Sequence, residues 1–558
     1  MESNTQKIEN SLNLAFSATE KELEKSPSLS VGYDEKLNIW EVIVKYSGEE
    51  LSLDNNQYEV INLINEYAIV RGTRESIIEL AQMPFVEYIE QPKNLFFERT
   101  IGELESGIID FKENNGDTNG AGTIFGIVDS GIDYKNIEFR KQNGTTRILN
   151  IWDQELGVEY DQEEINQALL SESNIILPIT VDYSGHGTEV TTIGAGNTGI
   201  ASEAEIIVVK MGPVVAGGFP RTTELMRGIS YLVEKAIAYG KPIGINISFG
   251  NTYGSHDGNS LLERFIDDIS NLWKSVICIG SGNEGSTAGH TSGTLKEQEI
   301  KNIELLVDRR ELAFDVQVWK YFEDEMDIGI VAPDGTKVGV MKNQLGVQRY
   351  RWDNTEILLY YGEPNPYSVL QEIYIQFIPI NTYVNTGIWN IVLEGKKIVT
   401  GEYALWLPSA QILNTGTQFA KAQKTNTLTI PSTAQRVITV GAYNALTFTY
   451  AEFSGRGKTE IPRLVKPDVV APGVRVDSVS VNNRPVKVTG TSYATPFVTG
   501  SALLLMEWGI VRGNDPYLYG EKVKAYLRKN ARPIEGIEVY PNNQVGYGTL
   551  YLKSILSM

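Results

Sequence analysis

The chain has one cysteine, Cys278, and three histidines, His186, His256 and His290, in 558 residues. One thiol cannot form an intrachain disulfide, a thiolate metal cluster or a CxxC redox pair, and three histidines cannot build a histidine-rich metal site. Stability must come from packing. No stretch approaches the roughly 18 uninterrupted apolar residues of a membrane-spanning helix, so no membrane partner is expected. The first thirty residues mix acids and bases without the basic start and apolar run of a general secretion signal, which leaves the cell address open. Basic residues are in the minority: 49 Lys and Arg stand against 70 Asp and Glu, for a net charge of -21. Without a local basic patch this field repels phosphate backbones, and nucleic acid is not an expected partner. The carboxylates form no EF-hand-like loop, so neither a metal nor a cofactor is expected.

What is present is the composition of a folded protein, 42% hydrophobic and 21% charged. Its length points to about three units. From Asn38 to Glu90 the pattern reads strand, strand, helix, strand, with Thr73 as the helix N-cap, and Pro92 marks a boundary, so a first α+β domain is placed at 1–97. Between 98 and 297, the apolar runs GTIFGIVD, AEIIVVKMG, KPIGINISFG and SVICIGSG alternate with amphipathic stretches. Leu225, Ile229, Leu232, Val233 and Ala236 share one helical face, as do Leu262, Phe265, Ile266, Ile269 and Trp273. The fold class is therefore α/β, a doubly wound and mostly parallel sheet. From 298 to 425 short alternating segments without helices predict an inserted all-β domain of sandwich or jelly-roll type. The α/β pattern resumes over 426–558.

Four segments could carry chemistry. In GTIFGIVDSGID, Asp129 follows a buried strand, at the carboxyl end where open α/β sheets assemble their sites. In YSGHGTEV, His186 stands between two glycines at a helix start, where small neighbours let the imidazole be approached. In VTGTSYATPFVTG, Ser492 enters an apolar helix, with Pro496 tolerated in its first turn; the helix amino terminus favours an alkoxide and the oxyanion it creates. In CIGSGNEGS, Asn283 ends another strand and offers a neutral amide donor, with Gly282 and Gly285 letting it swing. Taken alone, DSG and GNE are ordinary turns, HGT a loop histidine, and TS a helix cap. In the order Asp, His, Ser they match one of the known triad arrangements.

Together, DSG at 129–131, HGT at 186–188, GN at 282–283 and GTSYATP at 490–496 resemble the subtilase family of serine proteases. The resemblance implies a serine endopeptidase with Asp129 as orienting acid, His186 as base and Ser492 as nucleophile, and with Asn283 in the oxyanion hole. It further implies that Ser248, Phe249 and Gly250 pair with an extended protein or peptide substrate while Gly280, Ser281 and Gly282 line the opposite wall. The N-terminal domain 1–97 resembles a propeptide that chaperones and inhibits its own enzyme, with autocleavage expected between Ile89 and Arg99. The β insert and the ending, from YLYGEKVKAYLRKNARP to YPNNQVGYGTLYL, are similar to clostridial germination-specific Csp-type subtilases. That likeness implies a protein substrate, such as a spore cortex-lytic zymogen; with neither a signal peptide nor a membrane span read from the sequence, a cytoplasmic or spore-associated place or a non-general export route is expected.

The alternative is a non-enzymatic sensor or scaffold in germination signalling, in which the propeptide never leaves the cleft. His256 and His290, in polar glycine-rich loops, read as surface residues, and Cys278 in SVICIG reads as a buried core thiol.

Overall fold

The apolar runs that alternate with helical stretches become the strands of one sheet. The computed structural model describes residues 5–48, 50–54, 56–94, 96–97, 108, 111–112, 115–170, 179–212, 220–341, 344–458, 465–553 and 555. It divides into two compact units, one of 95–250, 262–286 and 425–558, the other of 1–94, 251–261 and 287–424.

In the first unit the sheet has nine strands. Ile124–Asp129 lies parallel between Glu205–Lys210 and Ile243–Ile247. Ile148–Asp153 extends the sheet on one side, and Ser275–Gly280, Ile438–Asn444 and Val469–Pro472 extend it on the other. The direction of winding reverses at Ile124–Asp129, which makes the end of that strand the topological switch point, and Asp129 is its last residue. Short antiparallel strands, Thr449–Tyr450 and Val158–Asp161, close the edges. Both faces are covered, as the continuous apolar runs predict: Leu225, Ile229, Leu232, Val233 and Ala236 are buried, as are Leu262, Phe265, Ile266 and Ile269. Trp273 lies beyond the end of the Leu261–Ile269 helix and is only half-buried.

The Thr491–Met506 helix is buried along its whole length. With its continuation to Val511 it is long and apolar enough to cross a membrane, yet 83% of its apolar window is packed inside the protein, as in a core helix. Pro496 is not in its first turn but is the sixth helical residue. Proline has no N–H, so the carbonyl of Ser492 loses its helical donor. The hydroxyl of Ser248 takes that place, donating to Ser492 O at 3.1 Å.

In the second unit the N-terminal part contains the expected Ile39–Tyr46, Tyr67–Gly72, Arg74–Ala81 and Val86–Glu90. Thr73 caps its helix, accepting from Ser76 N at 3.2 Å. The strand Tyr58–Leu63, half-exposed at a sheet edge, and two helices, Asn10–Ser17 and Glu20–Lys25, complete it. The inserted part is two antiparallel sheets of six and five strands around Leu305, Phe314, Ile328, Trp389 and Leu393. Its first strand is His290–Thr294, upstream of the expected edge, because HTSGT carries too few apolar residues to read as a strand. The two parts share a core in which Leu12, Phe16, Leu23 and Leu29 meet Leu358, Tyr360, Tyr374 and Ile378. Lys25 caps the carbonyls of Pro379 and Ile380, and Arg349 pairs with Glu22.

His256 and His290 are not surface residues. Both rings stack on Trp406, with centroids 4.3 and 4.6 Å away, because the strand Glu402–Trp406 pairs with His290–Thr294. Burial, with His256 adding, pushes His290 down to about 3, so it stays neutral. Cys278 is buried as expected, and burial pushes its thiol up to about 12.

Two acids are buried where the N-terminal and inserted parts meet. Burial raises the Glu372 carboxyl to about 8, with the charge of Glu9 adding and that of Lys93 opposing, and raises Asp315 to about 7. An acid whose folded pKa lies above its unfolded value of about 4 contributes stability that is lost as pH rises through the folded value. The melting temperature of the full chain should therefore fall between pH 6 and pH 9, and Glu372→Gln should flatten that fall. A melting temperature constant over this range in the unaltered chain would contradict the assignment.

Candidate active site

Two of the sequence-predicted residues, Asp129 and His186, meet at the carboxyl edge of the sheet, and Tyr493, the neighbour of Ser492, flanks the imidazole with ring centroids 5.4 Å apart. Asp129 leaves the central strand fully buried, and its Oδ1 receives the Nδ1 of His186 at 2.7 Å. The backbone N–H of Ser130 donates to the same oxygen at 2.7 Å. The other oxygen, Oδ2, is buried without a hydrogen-bond partner among the described residues. Because Nδ1 faces the carboxylate, Nε2 is the atom left for proton transfer.

His186 opens the helix His186–Ala195, with Gly185 at φ 77° before it. The glycine after it serves a different need from open access to the ring. A Cβ on Gly187 would lie 2.2 Å from Gly131 O and 3.2 Å from Asp129 Oδ1, so only glycine lets the two loops close on each other. Asp182, which the sequence reading did not single out, ties them. Its carboxylate accepts from Ser130 Oγ at 2.8 Å, Gly185 N at 2.9 Å, and the N and Oγ1 of Thr188 at 3.0 and 2.7 Å. The legible signal was an acid four residues before HGT. Burial of the imidazole lowers its pKa, but the charge and hydrogen bond of Asp129 outweigh it, and Glu189 and Asp182 add to them. The net result is a histidine held above its ordinary value.

Ser492 is the second residue of its helix and lies at the positive end of the helix dipole. Its Oγ lies 3.4 Å from Ser248 O. Asn283 does not swing. Its Oδ1 accepts from Thr491 N at 3.2 Å and Thr491 Oγ1 at 3.3 Å, which fixes the side chain one residue from Ser492. That grip turns the NH2 group away, and Nδ2 is buried with no partner among the described residues. A buried donor left unsatisfied costs about 1–3 kcal/mol, so it marks a place where an acceptor is missing.

Phe249–Gly250 forms an antiparallel pair with Phe96–Phe97, in the register Phe249↔Phe97 and Gly250↔Phe96. Ser248 precedes this strand and is anchored from below: Asn246 donates to its hydroxyl at 3.0 Å, and Thr499 donates to Asn246 at 3.0 Å. The stretch Gly280 to Gly282 differs. Ser281 N–H and C=O are taken by Val440 O and Thr429 N, and Gly282 O by Gly455 N, so this stretch gives shape and not strand pairing. Among the described residues no group of three or more His, Cys, Asp or Glu could hold a metal ion.

A model of the subtilase family matches residues 120–303 and 412–548, and a model described as the Csp protease B prodomain matches residues 6–93. The solved structure of the Clostridium perfringens CspB protease is similar at 36% identity, covering 81% of this chain and 95% of that one, with a TM-score of 0.77. Minor extracellular protease Vpr of Bacillus subtilis is 21% identical over 457 residues, 77% of this chain and 51% of Vpr. Alkaline protease 1 of Aspergillus flavus is 30% identical over 141 residues, 24% of this chain and 32% of that protein. The chain thus spans about half of the first of these curated relatives and about a third of the second.

The three histidines make a direct titration practical. In a Ser492→Ala chain followed by imidazole NMR, the His186 signal should titrate above 6.5 and move down in Asp129→Asn, while His290 stays neutral to below pH 4. A His186 that titrates below 6.5 would mean that burial, and not Asp129, sets its state.

Proposed function

Because the chain belongs to the subtilase family of serine peptidases, we propose that it hydrolyses peptide bonds with Asp129, His186 and Ser492 as its triad, and that its first substrate is its own N-terminal domain. In this reading His186 Nε2 takes the Ser492 proton as Oγ adds to the carbonyl carbon. The new oxyanion is held by Asn283 Nδ2 and the Ser492 N–H. The proton then passes to the leaving amine as the C–N bond breaks, and water repeats the sequence on the acyl-enzyme. Asp129 stabilises the imidazolium and fixes its tautomer.

The observation that carries the self-processing is the pairing of Phe96–Phe97 with Phe249–Gly250. It is strand addition, in which main-chain bonds align an extended peptide for attack. Continued by one residue, this register reaches Ser248, whose carbonyl lies against the Ser492 hydroxyl. Glu98 and Arg99 lie outside the described residues. The register of the pair before them makes Glu98–Arg99 the bond we propose is cut, at the end of the 89–99 stretch expected from sequence. A purified mature form should begin at Arg99, and Ser492→Ala should stay intact. Intact wild-type chain, or a new N-terminus elsewhere, would reject this register.

The same seated strand favours a second reading, in which the prodomain remains on the groove and the protein signals without turnover. A fluorophosphonate probe separates the two: label on Ser492 after cleavage supports the protease, and cleavage without label supports the locked form. Asn283→Ala should lower the rate of labelling roughly 10²- to 10³-fold, the cost of removing one oxyanion donor. The downstream target in the first reading is a cortex-lytic zymogen of spore germination, tested by incubating the mature enzyme with such a zymogen.

A further inference from the structure

His186 and Ser492 sit on two helices from different parts of the chain, and a buried pair joins those helices. Tyr493 directly follows Ser492, and Glu189 lies three residues after His186. The phenol donates to Glu189 Oε2 at 2.9 Å, and both residues are buried. A carboxylate out of water is costly unless hydrogen-bonded, so this contact is a strong constraint on both side chains. The Tyr493 ring also flanks the imidazole of His186, with centroids 5.4 Å apart and planes inclined by 58°. The main chain of Glu189 is held as well, its carbonyl accepting from Ser478 Oγ at 2.8 Å.

We propose that Tyr493 and Glu189 are positioning residues of the proteolytic reaction, a brace that fixes the base helix against the nucleophile helix. The proposal rests on the reading of His186 and Ser492 as base and nucleophile. Neither Tyr493 nor Glu189 is needed to touch substrate. The brace acts in two ways. The hydrogen bond and the ring set where the imidazole stands relative to the serine. The charge of Glu189 adds to the proton affinity of His186, behind the larger effect of Asp129. The charged and titratable groups around the imidazole are Asp129 on the central strand, Asp182 in the preceding loop, Glu189 on its own helix and Tyr493 on the nucleophile helix. Phe249 completes its surroundings at 6.2 Å.

The two functions can be separated by substitution in the full chain. Tyr493→Phe keeps the ring and removes the hydrogen bond. Glu189→Gln keeps an acceptor for the phenol and removes the charge. The measurements are the fluorophosphonate labelling rate of Ser492 against pH, kcat and KM on a peptide substrate, and the melting temperature. Tyr493→Phe should lower the plateau labelling rate and kcat roughly tenfold with KM unchanged, since misplacement acts on the reacting geometry and not on binding. Glu189→Gln, which keeps an acceptor but weakens the hydrogen bond, should lower the plateau less than Tyr493→Phe does and move the acid limb to lower pH. Wild-type plateau and acid limb in both variants would overturn the brace, as would a rate loss in Tyr493→Phe matched by a general loss of folded protein. Should Glu189→Gln fail to fold, Tyr493→Phe decides alone. If the unaltered, processed chain never labels, the protease reading falls and the brace with it.

Discussion

The structure depends on one close approach, that of the His186 helix to the end of the Asp129 strand. The imidazole and the carboxylate are both buried, and their 2.7 Å contact exists only because no Cβ stands on Gly187. A methyl there would meet a backbone carbonyl, which cannot move without moving the strand. Asp182 then gathers the donors of both loops on one carboxylate, so the approach is held from the side as well as tolerated. The doubly wound sheet supplies the strand end at which this happens. The surrounding negative charges keep the histidine basic despite its burial.

The nucleophile helix is fitted to the same place by a defect in its own hydrogen bonding. Pro496 leaves the Ser492 carbonyl without its helical donor, and Ser248, next to the strand on which Phe96–Phe97 is seated, fills the gap. A helix of alanines would be internally satisfied and would have no such bond to Ser248. In the same turn Thr491 grips Asn283, so that one helix terminus orients Ser492, Asn283 and the neighbour of the pairing strand together.

Much of this was legible in the sequence. The meeting of Asp129 and His186, the α/β class and the all-β part follow from motifs and hydrophobic periodicity, because a close approach needs small neighbours and a strand needs alternating or continuous apolar character. The supports were not. Asp182 looked like one acid among many, and the link from Pro496 to Ser248 joins positions 248 apart in the chain. A separation of 304 residues likewise hides Tyr493 from Glu189. His256 and His290 were misread because glycine-rich surroundings suggest exposure, whereas the indole of Trp406, distant in sequence, buries both. Periodicity reports which face of an element is apolar; it does not report what comes to lie on that face.

The shared core of the N-terminal and inserted parts has a bearing on synthesis. The chain emerges from the ribosome amino end first, and the apolar face offered by Leu12, Phe16 and Leu23 meets Leu358, Tyr360, Tyr374 and Ile378 only after more than half the residues have been joined. The catalytic unit is later still, since the strands from Ile438 onward and the Ser492 helix complete it. Ser492 follows the whole of the inserted part in the order of synthesis. By the time Ser492 is made, the N-terminal part already has its partner surface, so translation itself sets an order in which one unit can close before the other.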